Sequence, residues 1–184
     1  MKFLDRVLRD WRIQKCMPFV RANDKILDIG CFDGHLFEKL KFKSIQNSIG
    51  LDPLLTEIVE KDNFTLIPGV FPGDLTENQR FDCIILLAVL EHIPRETQKQ
   101  ISADFYHALE KNGRVIITVP SPFVDRILWV LTKFHLIDGM SLDEHYGFKV
   151  EEIPQLFESN KYKLIKHKRF QLGLNNLFVF EKLT

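Results

Sequence analysis

The sequence predicts an α/β fold, a mostly parallel sheet with helices on both faces and an antiparallel strand at its end. Three observations carry this. Short apolar runs at residues 25–29, 45–51, 64–67, 83–87 and 114–119 alternate with stretches of helical apolar spacing, the order that builds a parallel sheet through helical crossovers. Residues 83–87 are apolar throughout, as a central strand buried on both faces must be. The last two candidate strands, 162–170 and 176–183, are joined by a connection too short for a helical crossover, so they are expected to pair antiparallel.

Residues 25–40, KILDIGCFDGHLFEKL, organise the rest. A short apolar strand ends beyond Asp28, a tight turn runs from Gly30 to Gly34, and a helix begins with Leu36, Phe37 and Leu40 at helical spacing. Strand, glycine turn and helix in this order build a nucleotide-binding corner at the carboxyl end of a parallel sheet. The turn lacks the full dinucleotide fingerprint, because Phe32 stands between its two glycines. A carboxylate two residues before the first glycine would repel a pyrophosphate and attract an ammonium. S-adenosylmethionine carries an ammonium and a sulfonium, and no phosphate.

Asp28, Gly30, Phe32 and Gly34 resemble the first motif, D-x-G-x-G-x-G, of the class I S-adenosylmethionine-dependent methyltransferases. Phe32 replaces the middle glycine and makes the turn bulkier where the backbone would approach the cofactor. The resemblance implies a three-layer Rossmann-like methyltransferase fold, with a seven-stranded, mostly parallel sheet whose last strand is antiparallel. It also implies S-adenosylmethionine as cofactor, S-adenosylhomocysteine as product, and cofactor contacts from Gly30, Cys31, Phe32 and Gly34.

The chain has 184 residues, the size of one domain with one core. Its 45% apolar and 27% charged content is that of an ordinary globular protein. Sixteen phenylalanines point to an aromatic-rich interior or pocket. Zero net charge supplies no global field to recruit nucleic acid or an anionic membrane. Neither a signal peptide nor a spanning run is expected. Cys16, Cys31 and Cys83 are odd in number and form no C-x-x-C, which indicates neither a disulfide framework nor a zinc site and fits a reducing, cytoplasmic setting.

Residues 1–20 read as an amphipathic helix with Phe3, Leu4, Val7, Leu8 and Trp11 in one stripe, ended by Pro18. It either packs across the sheet or serves as a lid or interaction surface. The second strand ends in Asp52, 22 residues beyond Gly30, the spacing at which an acid reaches a ribose diol; a helix N-cap is a compatible role. Pro53 is expected to open a helix with Leu54, Leu55, Ile58 and Val59 inward.

After the third strand comes PGVFPGDL. By resemblance this loop holds the adenine, with Val70 where an acid is usual and Phe71 placed to flank the ring. The pattern F-D-x-I-x-x-x-x-V-L-E-H-I, from Phe81 to Ile93, resembles the fourth-strand motif of the ubiquinone-biosynthesis-like branch. It puts Leu87 and Ala88 against the methionine part of the cofactor and His92 near the methyl group. His92 is then a candidate base, or with Glu91 a pair that holds the loop.

A helix over residues 95–111 is expected to stop at Asn112-Gly113, before the strand RVIITV. Residues 121–150 form an insertion that, by resemblance, shapes the acceptor pocket. Glu144, His145 and Tyr146 there could recognise or deprotonate a hydroxyl, or form a surface cluster. A helix over 150–160 turns Ile153, Leu156 and Phe157 inward, and the final strands complete the sheet. Lys163, Lys166, Lys168 and Arg169 allow an RNA-binding reading, but charged edge strands also keep sheets from aggregating, and neutral net charge favours the edge. No carboxylate set with metal-ligand spacing is present, so no metal is expected.

The expected function is methyl transfer to a small-molecule or lipid- or sugar-linked acceptor, with His92 and His145 as candidate bases, Pro53 beside the ribose acid, and no nucleic-acid partner. The alternative is a non-catalytic module that keeps the fold without transfer. An NAD-dependent oxidoreductase is disfavoured by Asp28 and the incomplete fingerprint.

Overall fold

The computed structural model describes residues 3–76, 78–121 and 149–184. Five strands run parallel: β1 (Ile26–Ile29), β2 (Ser48–Asp52), β4 (Phe64–Pro68), β5 (Phe81–Leu87) and β6 (Leu109–Pro120). A two-residue β3 (Val59–Glu60) pairs antiparallel to β4 at one edge. At the other edge β8 (Asn175–Lys182) runs antiparallel to both β6 and β7 (Tyr162–Phe170). The sheet order is β3-β4-β2-β1-β5-β6-β8-β7. The expected architecture holds with eight strands instead of seven, because β3 adds an unforeseen edge.

Alternation along each strand feeds two cores. Cys83, Ile85 and Ile116 face helices α1 (Phe3–Cys16) and α2 (His35–Leu40), whose Ile13, Cys16, Leu36, Phe37 and Leu40 are buried there. Ile84, Leu86 and Ile117 face helix α3 (Arg95–Ala108) and the short helix Ile153–Leu156. Helices on both faces explain why the central strands read as continuous apolar runs. Many of the described phenylalanines are buried, while Phe3, Phe32 and Phe42 are exposed; Phe157 stacks on Phe180 at 3.9 Å between centroids, and Phe37 on Phe64 at 4.7 Å.

Three expected helices differ. No helix follows Pro53. The Asp52 carboxylate accepts the Leu54 N–H at 2.9 Å, setting a turn, and Val59 then pairs with Leu66 in β3. Leu54 and Ile58 are consequently 77% and 60% exposed. Helix α3 stops at Ala108, because Lys182 of β8 donates to the Tyr106 and Leu109 carbonyls at 2.7 Å each and closes the helix end. Asn112-Gly113 instead lies within β6. The expected 150–160 helix shrinks to a 3-10 turn and Ile153–Leu156, since Phe157 leaves the helix to stack on Phe180.

Helix α1 departs in orientation. Of its apolar stripe, Phe3, Val7 and Trp11 are turned outward, at 75%, 42% and 36% exposure, and Leu4 and Leu8 are half-buried. What faces the protein is Ile13 and Cys16 together with the half-buried Arg9 and Arg12. Among the described residues no helix is long and apolar enough to cross a membrane.

Candidate active site

The carboxyl ends of β1, β2, β4, β5 and β6 bring the sequence-predicted residues to one edge of the sheet. β1 delivers Asp28 and then the glycine turn. Gly30, at φ +76°, donates its N–H to the Leu51 carbonyl at 2.8 Å, and Gly34, at φ +72°, starts α2. Phe32 holds φ +48° with its side chain half exposed. Cys31 turns its sulfur inward: a Cβ on Gly50 of β2 would lie 2.7 Å from it. Burial, then Asp28 and Asp52, push its thiol up, so it stays protonated.

Three acids surround this turn. Asp28 is only 4% exposed, and among the described residues no donor hydrogen-bonds its carboxylate. Burial, then Asp52 and Asp33, raise its pKa well above the usual carboxylate range. Asp52 lies at the tip of β2. One of its oxygens accepts the Phe32 N–H at 2.8 Å and the other the Leu54 N–H at 2.9 Å, which leaves each oxygen a further lone pair. The helix N-cap role expected of Asp52 is absent, because no helix follows; the carboxylate caps a turn instead and ties the glycine turn to the β2 tip. Pro53 beside it is exposed.

At the tip of β5, Leu87 and Ala88 are half-buried. Ala88 sits at φ +60° and donates its N–H to the Thr118 carbonyl at 2.9 Å. A side chain in this left-handed region is strained. Ala88→Gly is expected to raise stability by about 1 kcal/mol, read as a higher thermal midpoint. Residues Leu90–His92 form a 3-10 turn in which Glu91 is buried and both His92 ring nitrogens are shielded from solvent. Beyond β4, the Val70 N–H is taken by the Asp74 carboxylate at 2.8 Å, and the Phe71 ring packs on Phe105 at 5.2 Å between centroids. Val70 itself is exposed.

Helix α1 crosses this edge, which sequence reasoning did not foresee in its polar detail. Arg9 donates to both oxygens of Asp33 at 3.0 and 2.8 Å. Asp10 contacts His35 at 2.8 Å and Lys39 at 3.2 Å. Gln171, in the turn after β7, donates to the Leu8 carbonyl at 3.0 Å. Burial pushes the Arg12 guanidinium down from its usual value, while Glu91 and Asp5 favour its charge. The available signal was the spacing of Arg6, Arg9, Arg12 and Lys15, which forms a polar row beside the apolar stripe. His145, Glu144 and Tyr146 lie outside the described residues.

A family model described as a methyltransferase domain matches residues 2–173. The chain belongs to the class I S-adenosylmethionine-dependent methyltransferase family. Solved methyltransferase structures share its fold. Magnesium protoporphyrin IX methyltransferase (ChlM) from Synechocystis PCC 6803, with bound SAH, superposes with a TM-score of 0.70 at 16% identity, over 98% of this chain and 88% of that one. N-methyltransferase NodS from Bradyrhizobium japonicum WM9, in complex with S-adenosyl-l-homocysteine, gives 0.65 at 14% identity, over 95% and 85%. The cyclopropane synthase MmaA2 from Mycobacterium tuberculosis gives 0.67 at 13% identity, over 94% and 84%. Comparison with curated protein sequences finds no match. In this member of the family, Asp28, the glycine turn, Asp52, Val70 and Ala88 all occupy the same sheet edge, each at or just beyond the end of a parallel strand.

Proposed function

We propose that this edge binds S-adenosylmethionine and presents its methyl group to a small-molecule or lipid- or sugar-linked acceptor. The observation that carries the reading is Asp28: a buried carboxylate without a donor among the described residues, flanked by two further acids. Such a group fits a cationic ligand, which would supply the missing partner and offset the mutual repulsion. The bare Gly30 backbone and the remaining lone pairs of Asp52 fit the same ligand, through close backbone approach and a ribose diol.

The roles then divide by position. Asp28 holds the ammonium and Asp52 the ribose. Gly30, Cys31, Phe32 and Gly34 supply the turn against which the methionine portion lies. Pro53, Val70 and Phe71 bound the adenine side, and Leu87 and Ala88 flank the reacting end. When bound, the cofactor supplies an already activated methyl, so the residues act by alignment and exclusion of water. An oxygen acceptor also requires a proton acceptor; His92, in the turn after β5, is the first candidate by resemblance, with both ring nitrogens shielded from solvent in the free protein, and His145 is the second candidate by sequence.

His92→Ala is expected to lower kcat with little change in donor affinity. An equal loss in both would remove His92 from proton transfer. The function is tested by following S-adenosylhomocysteine formation from methyl-labelled donor over candidate acceptors and lipid extracts. Acceptor-dependent product supports transfer.

One observation favours a second reading, a donor-binding module without transfer. Val70 replaces the expected adenine acid, and the nearby Asp74 is turned onto the loop's own amide. Donor binding with no turnover on any acceptor would establish that reading.

A further inference from the structure

We propose that the α1 layer is a docking surface for an anionic lipid membrane, which would bring the cleft to an acceptor held in lipid. This rests on the proposed function only for the acceptor, because the surface itself is defined by α1 and β7.

Helix α1 is mounted with Phe3, Val7 and Trp11 of its apolar stripe facing away from the protein, and with Leu4 and Leu8 half-buried. Its inner side is fixed by polar contacts, Arg9 to Asp33 and Asp10 to His35 and Lys39, so the orientation is set by specific partners. The outer side presents Phe3, Val7 and Trp11. Val7, Trp11 and Met17 also line an open groove of about 500 Å³, together with the Asp10–Lys39 ion pair. An aromatic and aliphatic stripe on a basic helix is the composition of helices that lie in a membrane interface.

The charge around the stripe selects an anionic partner. On helix α1, Arg6 and Lys15 lie beside the stripe, whereas Arg9 and Arg12 face the protein, Arg9 on Asp33. Lys43 follows α2 beside an exposed Phe42, and Lys41 on the other side of Phe42 pairs with Glu38 at 2.6 Å. On β7, Lys166 and Lys168 pair in register with Val179 and Leu177 of β8, which lie in the core on the α1 side. Cross-strand partners share a face, so these lysines stand on the same layer as α1. No carboxylate among the described residues pairs with either one. A chain of zero net charge thus concentrates cations around an exposed apolar stripe, and juxtamembrane cations of this kind are drawn to anionic headgroups. The stripe distinguishes this surface from one made for nucleic acid, where phosphate contacts dominate.

The layer is also tied to the cleft, because Arg9 holds Asp33 inside the glycine turn and Gln171 holds the Leu8 carbonyl.

Flotation of the full chain with vesicles tests the proposal, in the absence of methyl donor so that its failure is separable from failure of the methyltransferase reading. The chain is expected to float with vesicles of phosphatidylcholine mixed with phosphatidylglycerol, and not with phosphatidylcholine alone. Val7→Ser combined with Trp11→Ser, and separately Lys166→Glu combined with Lys168→Glu, should each lower binding on the order of tenfold. The lysine pair, on an exposed strand, keeps the test valid if the helix variant folds poorly. No flotation with anionic vesicles overturns the proposal. So does flotation that the stripe variant leaves unchanged and single-stranded RNA abolishes, which would mark a general polyanion surface. A wild-type dimer that the stripe variant converts to monomer, without vesicle binding by either, would assign the stripe to a second copy and overturn it as well.

Discussion

Asp28→Asn is expected to yield a more stable protein that binds S-adenosylhomocysteine about 10- to 100-fold more weakly. The two effects come from one cause. Asp28 is buried among Asp52 and Asp33, and its carboxylate pKa is raised well above the usual range by burial and then by these neighbours. Between the ordinary value and the raised one, the folded protein binds more protons at this site than the unfolded chain. Stability of the free protein therefore falls as pH rises through that window. Asparagine removes the charge while keeping the shape, so this loss disappears and the free protein gains on the order of 1 kcal/mol near neutral pH. The same change removes a charged hydrogen bond to the ligand ammonium, worth about 1.5–3 kcal/mol. Thermal denaturation against pH reads the first effect and calorimetric titration the second. A variant that loses stability and keeps its affinity would place Asp28 in a structural role.

Gly30→Ala is expected to have the larger effect on folding. Gly30 lies at φ +76°, and a Cβ built there would be 2.4 Å from Cγ2 of Val89. Backbone strain and steric overlap act together, since alanine disfavours this region and Val89 is held in the turn beyond β5. The expected loss is about 2–4 kcal/mol, a fall of roughly 5–15 °C in thermal midpoint. Val89→Ala in the same chain should restore part of it, because it clears the overlap and leaves the dihedral strain. The non-additivity should be on the order of 1 kcal/mol. Strict additivity would mean that the two residues do not meet, and would detach the glycine turn from the β5 tip.

The sheet was legible because its strands are buried on both faces. Runs such as CIILL and RVIITV have one reading in that setting, and the 162–170 strand has the bounds read from the sequence. Helix ends were less legible, since distant residues set them. Lys182, from the last strand, closes α3, and a side chain so far along the chain leaves no local signal at Ala108. The absence of a helix after Pro53 has a local cause: Asp52 captures the Leu54 amide, and Ile58 and Val59 are β-branched residues that favour extension.

The candidate site was read from spacing. The distance from Gly30 to Asp52 in sequence brings the two strand tips side by side, and the Asp52–Phe32 bond joins them. Orientation of α1 was not readable. Amphipathicity tells which side of a helix is apolar, and it leaves open whether that side meets the core. Here Arg9 finds Asp33 and Arg12 the surroundings of Glu91, contacts that only the assembled edge creates.

The most direct test of the central claim is calorimetric titration of the purified chain with S-adenosylhomocysteine, with NAD as control. One-to-one saturable binding of the first alone is predicted, weakened in Asp28→Asn and in Asp52→Ala. Absence of binding, or equal binding of NAD, would contradict the assignment of this edge as a methyl-donor site.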